Sequence, residues 1–536
     1  ARGEVPTLAR LIHQGVSGKL RSTIPPLSPI AWSTFATGKN AGKHGIFSFT
    51  ETRPGSYQVQ LVNARSRKAE TLWSLLSSAG KRVCVTNVPV TYPPERVNGV
   101  MISGMDAPGP ESDFIHPPGL REEITKWVGE YTIEYPLLGA VNPKRSPGVL
   151  EALYRVVDQR TAATKYVMRQ YRWDLVTVVY MMLDRLQHFF WHTMEPAHYR
   201  YDEPGAASLR EVIQDGYRKM DSVVGDLLTE VDESKTSVIV MSDHGAGPFD
   251  DSLPELNLND WLNREGLLSL RGTDSLGYRA IWRTRSVLRA TLPARLKTRL
   301  KEHLPGLKDR LQAYLYFSVM DWSRTKAFAT YDEFLPRGIR FNVRGREPMG
   351  IVDPRVEYEE LRDALVQKLE RLRHPFTDRK VLSGVYRREE LYHGPQLHKA
   401  PDLIVHWNND AYFSGSKPAR RTHQRFKLSH LQRSGEHRDE GILIAKGPHF
   451  RIGHRLNGAE ITDLAPTVLH LMGMPVPGDM DGRVLTSMFT QSFLDQHPVT
   501  YDRSGTDRDA GSDQAPYTEK EAQAVRKRLE DLGYLS

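Results

Sequence analysis

Four short polar motifs, spread from residue 28 to residue 437, carry the side chains best suited to chemistry. They are Ser28 in LSPIAWSTFATGKNAGKHGI, Asp184 and His188 in LDRLQHFF, Asp243 and His244 in MSDHGAG, and His437 in SGEHRDEG. Imidazole and carboxylate groups are ligands that divalent metals such as zinc prefer. Apolar runs typical of buried strands adjoin three of the motifs, and the ends of such strands gather side chains in one crevice of an α/β sheet. The sequence therefore predicts a two-metal centre built from distant segments.

The elements around these motifs alternate between strands and helices. The predicted helices span 29–37, 69–79, 149–171, 207–231, 461–473 and 517–535, and the predicted strands span 82–89, 99–104, 174–183, 237–241, 326–330, 338–343, 402–407 and 441–446. Pro29 at the start of the first helix and Gly38 after its end favour that assignment, with Ser28 as the N-cap. The alternation predicts an α/β fold with a doubly wound, mostly parallel sheet.

The order and context of the four motifs resemble the alkaline phosphatase superfamily, and most closely the bacterial form of its type I phosphodiesterase/nucleotide pyrophosphatase family. The resemblance runs from residue 1 to about residue 490. It implies a hydrolase of phosphodiester or pyrophosphate bonds that forms a covalent phosphoserine at Ser28. It also implies two divalent ions, zinc or manganese. The ligands that it assigns are Asp184, His188 and His437 for one ion, and Asp243, His244, Ser28 and an aspartate preceding residue 1 for the other.

The chain departs from the family pattern at two positions. Related diesterases carry an asparagine three residues after the HGI turn, where this chain has Phe49. We therefore expect the metals, backbone N–H groups or another side chain to bind the phosphate, with Lys39 and Lys43 as candidate side chains. The family's first metal-binding aspartate would precede Ala1, and we expect low activity without it. The first carboxylates to test as replacements are Asp106 and Asp113.

Ser28 and His44 each have two interpretations. A hydroxyl at a helix N-terminus is well placed as a nucleophile, because the helix dipole stabilises an alkoxide or a phosphoryl group and a metal lowers the hydroxyl pKa. Ser28 could instead be only an N-cap. His44, in the HGI turn, could be a ligand, but we expect a structural role for it.

The length of 536 residues predicts one large domain with an insertion. We expect a core at 1–254 and 375–495, an inserted cap at 255–374, and a flexible linker with a C-terminal helix at 496–536. The segment 279–310 is rich in arginine, lysine and leucine. This segment either lies on anionic membrane lipid as a peripheral contact or forms a solvated lid helix on the main domain.

Composition indicates the class of protein and the role of its cysteine. Hydrophobic residues make up 39% of the chain and charged residues 26%, as in an ordinary globular protein, and the formal net charge is +8. Cys84 is the one cysteine of these residues and lies in an apolar run, which indicates an inert buried thiol. We expect a small phosphoester partner (a nucleotide or a lipid head group), no specific nucleic acid, and a cytoplasmic location. The alternatives are a catalytically inactive metal- or phosphoester-binding relative and a head-group transferase.

Overall fold

The computed structural model describes residues 3–135, 146–249, 258–270, 320–330, 337–373, 378–408, 433–502, 516–532 and 534–535. Its helices are α1 (Pro6–His13), α2 (Ser28–Thr37), α3 (Ala41–His44), α4 (Leu72–Ser78), α5 (Leu120–Val128), α6 (Ser146–Gln170), α7 (Met182–Met194), α8 (Val212–Leu228), α9 (Leu258–Arg264), α10 (Val356–Glu370), α11 (Arg388–Leu391), α12 (Leu464–Leu471), α13 (Gln491–Gln496) and α14 (Glu519–Asp531).

Its strands are short and spread over the whole chain. They are β1 (Val16–Arg21), β2 (Thr50–Thr52), β3 (Val59–Leu61), β4 (Val83–Thr86), β5 (Gly99–Ile102), β6 (Ile115–His116), β7 (Leu175–Val178), β8 (Val238–Met241), β9 (Gly245–Pro248), β10 (Ala327–Ala329), β11 (Gly338–Phe341), β12 (Leu382–Arg387), β13 (Leu403–Trp407), β14 (Gly435–Arg438), β15 (Glu440–Lys446), β16 (His454–Glu460), β17 (Val476–Pro477) and β18 (Tyr501–Asp502).

Two four-stranded sheets and their flanking helices form the core. One sheet has the order β16-β1-β15-β8 and the other has the order β6-β5-β4-β7, and both contribute to one hydrophobic cluster. In the second sheet β4 pairs in parallel with β5 and β7, whereas β6 is antiparallel. In the first sheet β1 is parallel to β16 and antiparallel to β15. The α/β fold class is confirmed, and the sheets are of mixed direction.

Strand β4 shows why the apolar runs form buried strands. All four of its residues are buried, as expected for a strand that is covered on both faces. Burial raises the pKa of the Cys84 thiol to about 12, so the thiol is protonated near neutral pH and is not a nucleophile. The prediction of an inert buried cysteine is confirmed.

A third sheet, with the order β10-β11-β13-β12, has its own hydrophobic cluster together with α9 and α10. We propose that this sheet is the cap and that the cap continues to Trp407, past the predicted boundary at residue 374, because β12 and β13 pair within it. The basic segment 279–310 lies outside the described residues. Within the described part of the chain, no helix is long and apolar enough to cross a membrane.

The helix that carries Ser28 begins one residue earlier than predicted. Leu27, with an extended backbone, is the N-cap of α2, and its carbonyl oxygen accepts a hydrogen bond from the Ala31 N–H at 2.8 Å. Ser28 is therefore the first helical residue, and the prediction that it is the N-cap is wrong. Gly38 ends the helix in the left-handed conformation with φ 65°, as predicted. Every residue of α2 is buried, so Ser28 has a rigid support.

Candidate active site

Asp184 and His188 lie one turn apart near the start of α7. The predicted strand 174–183 ends at Val178 in the structure, and α7 begins at Met182. Residues four apart on a helix point the same way, so both side chains face the same point. The Nε2 atom of His188 lies 3.2 Å from Oδ1 of Asp184.

Strand pairing brings His437 to this pair from the far end of the sequence. Strand β14 is antiparallel to β9, and the register places His437 opposite Ala246, two residues after His244. The rings of His437 and His244 stack with their centroids 3.5 Å apart. The Nε2 atom of His437 lies 2.9 Å from Nε2 of His188 and 3.3 Å from Oδ1 of Asp184. Asp184, His188 and His437 therefore form a group that could hold a metal ion.

Backbone carbonyl groups fix the tautomer of all three histidines. The contacts are His188 Nδ1 to Gly435 O at 2.8 Å, His437 Nδ1 to Pro26 O at 2.7 Å, and His244 Nδ1 to Gly245 O at 3.0 Å. A carbonyl oxygen can only accept, so each Nδ1 carries the hydrogen. The Nε2 atom of each neutral ring is then an electron-pair donor. This arrangement, with Nδ1 bonded to a carbonyl group and Nε2 facing other donors, is typical of metal-binding histidine.

The electrostatics of this group also suit a cation. Burial and the neighbouring His244 lower the pKa of His437 to about 3, so its ring is neutral. Burial raises the pKa of the Asp184 carboxyl, but His188 and His437 outweigh it and hold that pKa well below its usual value. The site therefore presents an ionised carboxylate with a neutral imidazole, which are the protonation states that metal binding requires.

Ser28, Asp243 and His244 lie beside this group. The Nε2 atom of His244 is 3.5 Å from Oδ2 of Asp243 and 3.8 Å from Oδ1 of Asp184. Burial lowers the pKa of His244, but these two carboxylates outweigh it and raise the pKa. Burial raises the pKa of Asp243, and the charge of Asp184 adds to the rise. The charges of Asp184 and Asp243 therefore repel each other, and a bound cation would offset that repulsion.

Two buried oxygens of this second group need a partner. The Ser28 hydroxyl is close enough to favour the charged form of Asp243. Within the described part of the chain, however, neither Ser28 Oγ nor Asp243 Oδ2 has a hydrogen-bond partner. Buried polar atoms in native proteins are nearly always satisfied, so such a pair indicates a missing ligand. A divalent cation fits both oxygens.

The two lysines considered as phosphate ligands, Lys39 and Lys43, form ion pairs with aspartates. The Lys39 ammonium group binds Asp479, and the Lys43 ammonium group binds Asp481 at 2.5 Å. His44 is structural, as predicted. Its Nε2 atom lies 3.0 Å from the Thr34 hydroxyl, and burial lowers its pKa to about 3.

The two carboxylates considered as replacement metal ligands have other surroundings. Asp106 is buried and accepts hydrogen bonds from the backbone N–H groups of Val90 at 2.9 Å and Tyr92 at 2.7 Å. The Asp106 carboxylate therefore fixes the loop that contains Val90 and Tyr92. Asp113 is exposed. Neither belongs to the group around Asp184.

Tyr534, near the end of the chain, contacts the site and was not expected from the sequence. Its hydroxyl donates a hydrogen bond to Oδ2 of Asp184, and its ring lies 5.4 Å, centroid to centroid, from that of Phe49. Residue spacing could not have indicated this contact, because the two partners are 350 residues apart.

Comparisons with known proteins bear on the family and the fold of this chain. The family model for type I phosphodiesterase / nucleotide pyrophosphatase matches residues 1–431. Phosphonoacetate hydrolase from Sinorhizobium meliloti, solved with phosphonoformate, is 14% identical with a TM-score of 0.50, over 86% of this chain and 89% of that chain. Human ectonucleotide pyrophosphatase / phosphodiesterase 5 is 14% identical with a TM-score of 0.48, over 92% of this chain and 94% of that chain. A search of curated proteins found no match.

The family match covers well over half of the chain, so the resemblance inferred from the four motifs is confirmed. At 14% identity, the likeness to the phosphonoacetate hydrolase structure shows the fold. The candidate metal group lies where motifs from two distant segments converge. The chain therefore belongs to the type I phosphodiesterase / nucleotide pyrophosphatase family of metal-dependent phosphoester hydrolases, within the alkaline phosphatase superfamily.

Proposed function

We propose that this protein hydrolyses a phosphodiester or pyrophosphate bond through a covalent phosphoserine at Ser28, with the help of two divalent ions. The observation that carries the proposal is the convergence of His188 and His437 Nε2 on the Asp184 carboxylate. Beside it lie buried oxygens of Ser28 and Asp243 for which the described residues offer no hydrogen-bond partner. Two adjacent groups of donors fit a pair of ions better than one.

The donor set favours zinc, with manganese as the second choice. Asp184, His188 and His437 would hold one ion, and Asp243, His244 and Ser28 would bind the other. Mixed imidazole and carboxylate ligands suit zinc. Bound ions would neutralise charge on the phosphoryl group and lower the pKa of the Ser28 hydroxyl.

Ser28 is positioned to attack phosphorus. It is the first residue of α2, and the N-terminus of a helix stabilises both an alkoxide and a bound phosphoryl group. The bond from Oγ to phosphorus forms as the bond from phosphorus to the leaving oxygen breaks. In the second step a water oxygen attacks phosphorus, the bond to Oγ breaks, and the serine is restored. The family favours a diester or pyrophosphate substrate, such as a nucleotide or a phospholipid head group, over a monoester.

A pair of serine variants tests the nucleophile. Ser28→Ala removes the hydroxyl, and Ser33→Ala removes another buried hydroxyl of the same helix. We expect Ser28→Ala to lower the rate of hydrolysis of bis(p-nitrophenyl) phosphate by at least about a thousandfold, because no other group forms the intermediate. Ser33→Ala should keep most of the activity.

Three results would contradict the proposal. The first is a Ser28→Ala variant that keeps more than about a tenth of the wild-type rate, which would assign the nucleophile elsewhere. The second is active protein in which elemental analysis finds no transition metal. The third is wild-type protein that binds metal but turns over no phosphoester, which would favour an inactive binding relative. Adding a competing alcohol and analysing the products separates hydrolysis from transfer of the head group.

A further inference from the structure

The C-terminal helix α14 is docked on the core by polar and apolar contacts. The ring of Tyr517 stacks on that of Tyr92 with centroids 5.9 Å apart, and its hydroxyl donates to the carbonyl oxygen of Asp106 at 2.8 Å. The Tyr92 hydroxyl donates to Glu521 at 2.8 Å. The buried apolar residues of this segment are Val525, Leu529, Leu532 and Leu535. Residues 516–532 and 534–535 are therefore part of the core, and contacts away from the metal group hold them there.

The end of this segment turns back toward the active site. After α14, the backbone N–H groups of Tyr534 and Leu535 both donate to the carbonyl oxygen of Leu529, at 2.8 and 3.2 Å. The turn directs the Tyr534 side chain inward, where it is only 7% exposed. Contact with the ring of Phe49 restricts the tyrosine ring from one side. The hydroxyl then donates to Oδ2 of Asp184.

The two oxygens of Asp184 consequently have different partners. Oδ1 lies 3.2 Å from His188 Nε2 and 3.3 Å from His437 Nε2, whereas Oδ2 accepts from Tyr534. A carboxylate held through one oxygen can still rotate about its last torsion angle. A hydrogen bond to the other oxygen removes that freedom and points the first oxygen at the metal group. Partners of metal ligands act in this way, and losing one costs about 10- to 100-fold in metal affinity.

We propose that Tyr534 is a positioning residue of the metal centre, and that the C-terminal segment thereby completes the active site. The inference rests on the proposed metal site. The segment acts through its hydroxyl on Asp184, because that hydroxyl contacts Oδ2, whereas Oδ1 faces His188 and His437. Removing the hydroxyl should weaken metal binding while leaving the fold in place.

The test compares two hydroxyl deletions in the same segment. Tyr534→Phe keeps the ring against Phe49 and removes only the bond to Asp184. Tyr517→Phe, the matched control, keeps the stack on Tyr92 and removes only the bond to the Asp106 carbonyl group. The affinity of each metal-free protein for Zn²⁺ is measured by competition with a chromophoric chelator. Urea unfolding of the metal-free proteins shows that both variants are folded at the start of the titration.

We expect Tyr534→Phe to bind Zn²⁺ about 10- to 100-fold more weakly than wild type, and Tyr517→Phe to bind within about threefold of wild type. Equal affinity of Tyr534→Phe and wild type would overturn the inference. So would an equal loss in both variants, because docking of the segment would then be the cause. If wild type binds no Zn²⁺ or Mn²⁺, the proposed metal site fails as well, so the two failures are distinguishable.

Discussion

Replacing His188 by alanine removes one donor of the metal group and keeps the helix that carries it. The substitution leaves Asp184 and His437 in place and suits α7, since alanine is the best helix former. Structural zinc sites with four ligands are worth about 10–16 kcal/mol, or about 2.5–4 kcal/mol for each ligand. At about 1.4 kcal/mol per tenfold change, His188→Ala should weaken metal binding by about 100- to 1,000-fold.

This loss of affinity is measurable as a loss of stability. Free metal at about 100 times the wild-type Kd adds about 2.7 kcal/mol to the free energy of unfolding. With binding about 100-fold weaker, the same metal concentration adds only about 0.4 kcal/mol to His188→Ala. Urea unfolding with Zn²⁺ and with excess chelator gives the two values for each protein.

His192→Ala is the matched control. His192 lies one turn further along α7 and is equally buried, and its Nδ1 atom is 2.9 Å from the Ser434 hydroxyl, beside the Gly435 that His188 contacts. Its loss should cost about 1–3 kcal/mol both with and without metal, because the buried Ser434 hydroxyl loses the imidazole and keeps the backbone N–H of residue 192 as a partner. The reasoning is refuted if His188→Ala keeps the full metal-dependent stabilisation, or if His192→Ala loses it to the same degree.

Two further predictions concern packing and protonation. Gly435→Ala would place a Cβ atom 2.2 Å from the Gln187 carbonyl oxygen, so β14 must move away from α7, and we expect urea unfolding to show a loss of more than about 2 kcal/mol. Gly148→Ala should be neutral or stabilising, because no atom of the described residues lies within 4 Å of the added Cβ atom. The pKa of His44 is about 3 in the folded protein and about 6.5 in the unfolded chain. Between these pH values only the unfolded chain binds a proton at His44, so the free energy of unfolding should fall by about 1.4 kcal/mol for each pH unit of acidification. From pH 7 to pH 5 the free energy of unfolding should fall by about 2 kcal/mol less in His44→Gln than in wild type. An equal fall in both proteins would contradict the assignment.

The sequence predicted most of the apolar strands and six of the longer helices, because local periodicity is enough to recognise them, but it missed the helices α5 and α10. Strand β1 was missed, since VSGKLR contains a glycine and two cations and lacks a clear apolar pattern. Its partners β15 and β16 lie more than 400 residues away. The reason for its glycine is visible only in the fold: a Cβ atom at Gly18 would lie 2.3 Å from the Leu456 carbonyl oxygen.

In the candidate site, too, the residues of short motifs could be predicted, whereas contacts that depend on the packing of distant segments could not. The motifs predicted which residues would meet, and the structure brings Asp184, His188 and His437 into one group, with the serine motif alongside. Their catalytic roles stay predictions. The carbonyl groups that fix the histidine tautomers could not be predicted, because every residue type carries a carbonyl group. The role of Tyr534 depends on how a C-terminal turn packs against Phe49, which no spacing encodes.

The stereochemical course of hydrolysis tests the central claim most directly. Each in-line displacement inverts the configuration at phosphorus, so attack by Ser28 followed by attack by water gives two inversions. A phosphodiester analogue made chiral with sulfur is hydrolysed in isotopically labelled water, and the configuration of the product is determined. We predict net retention in wild-type protein, with no product from Ser28→Ala. Net inversion would mean that water attacks the substrate directly, and it would contradict a covalent intermediate on Ser28.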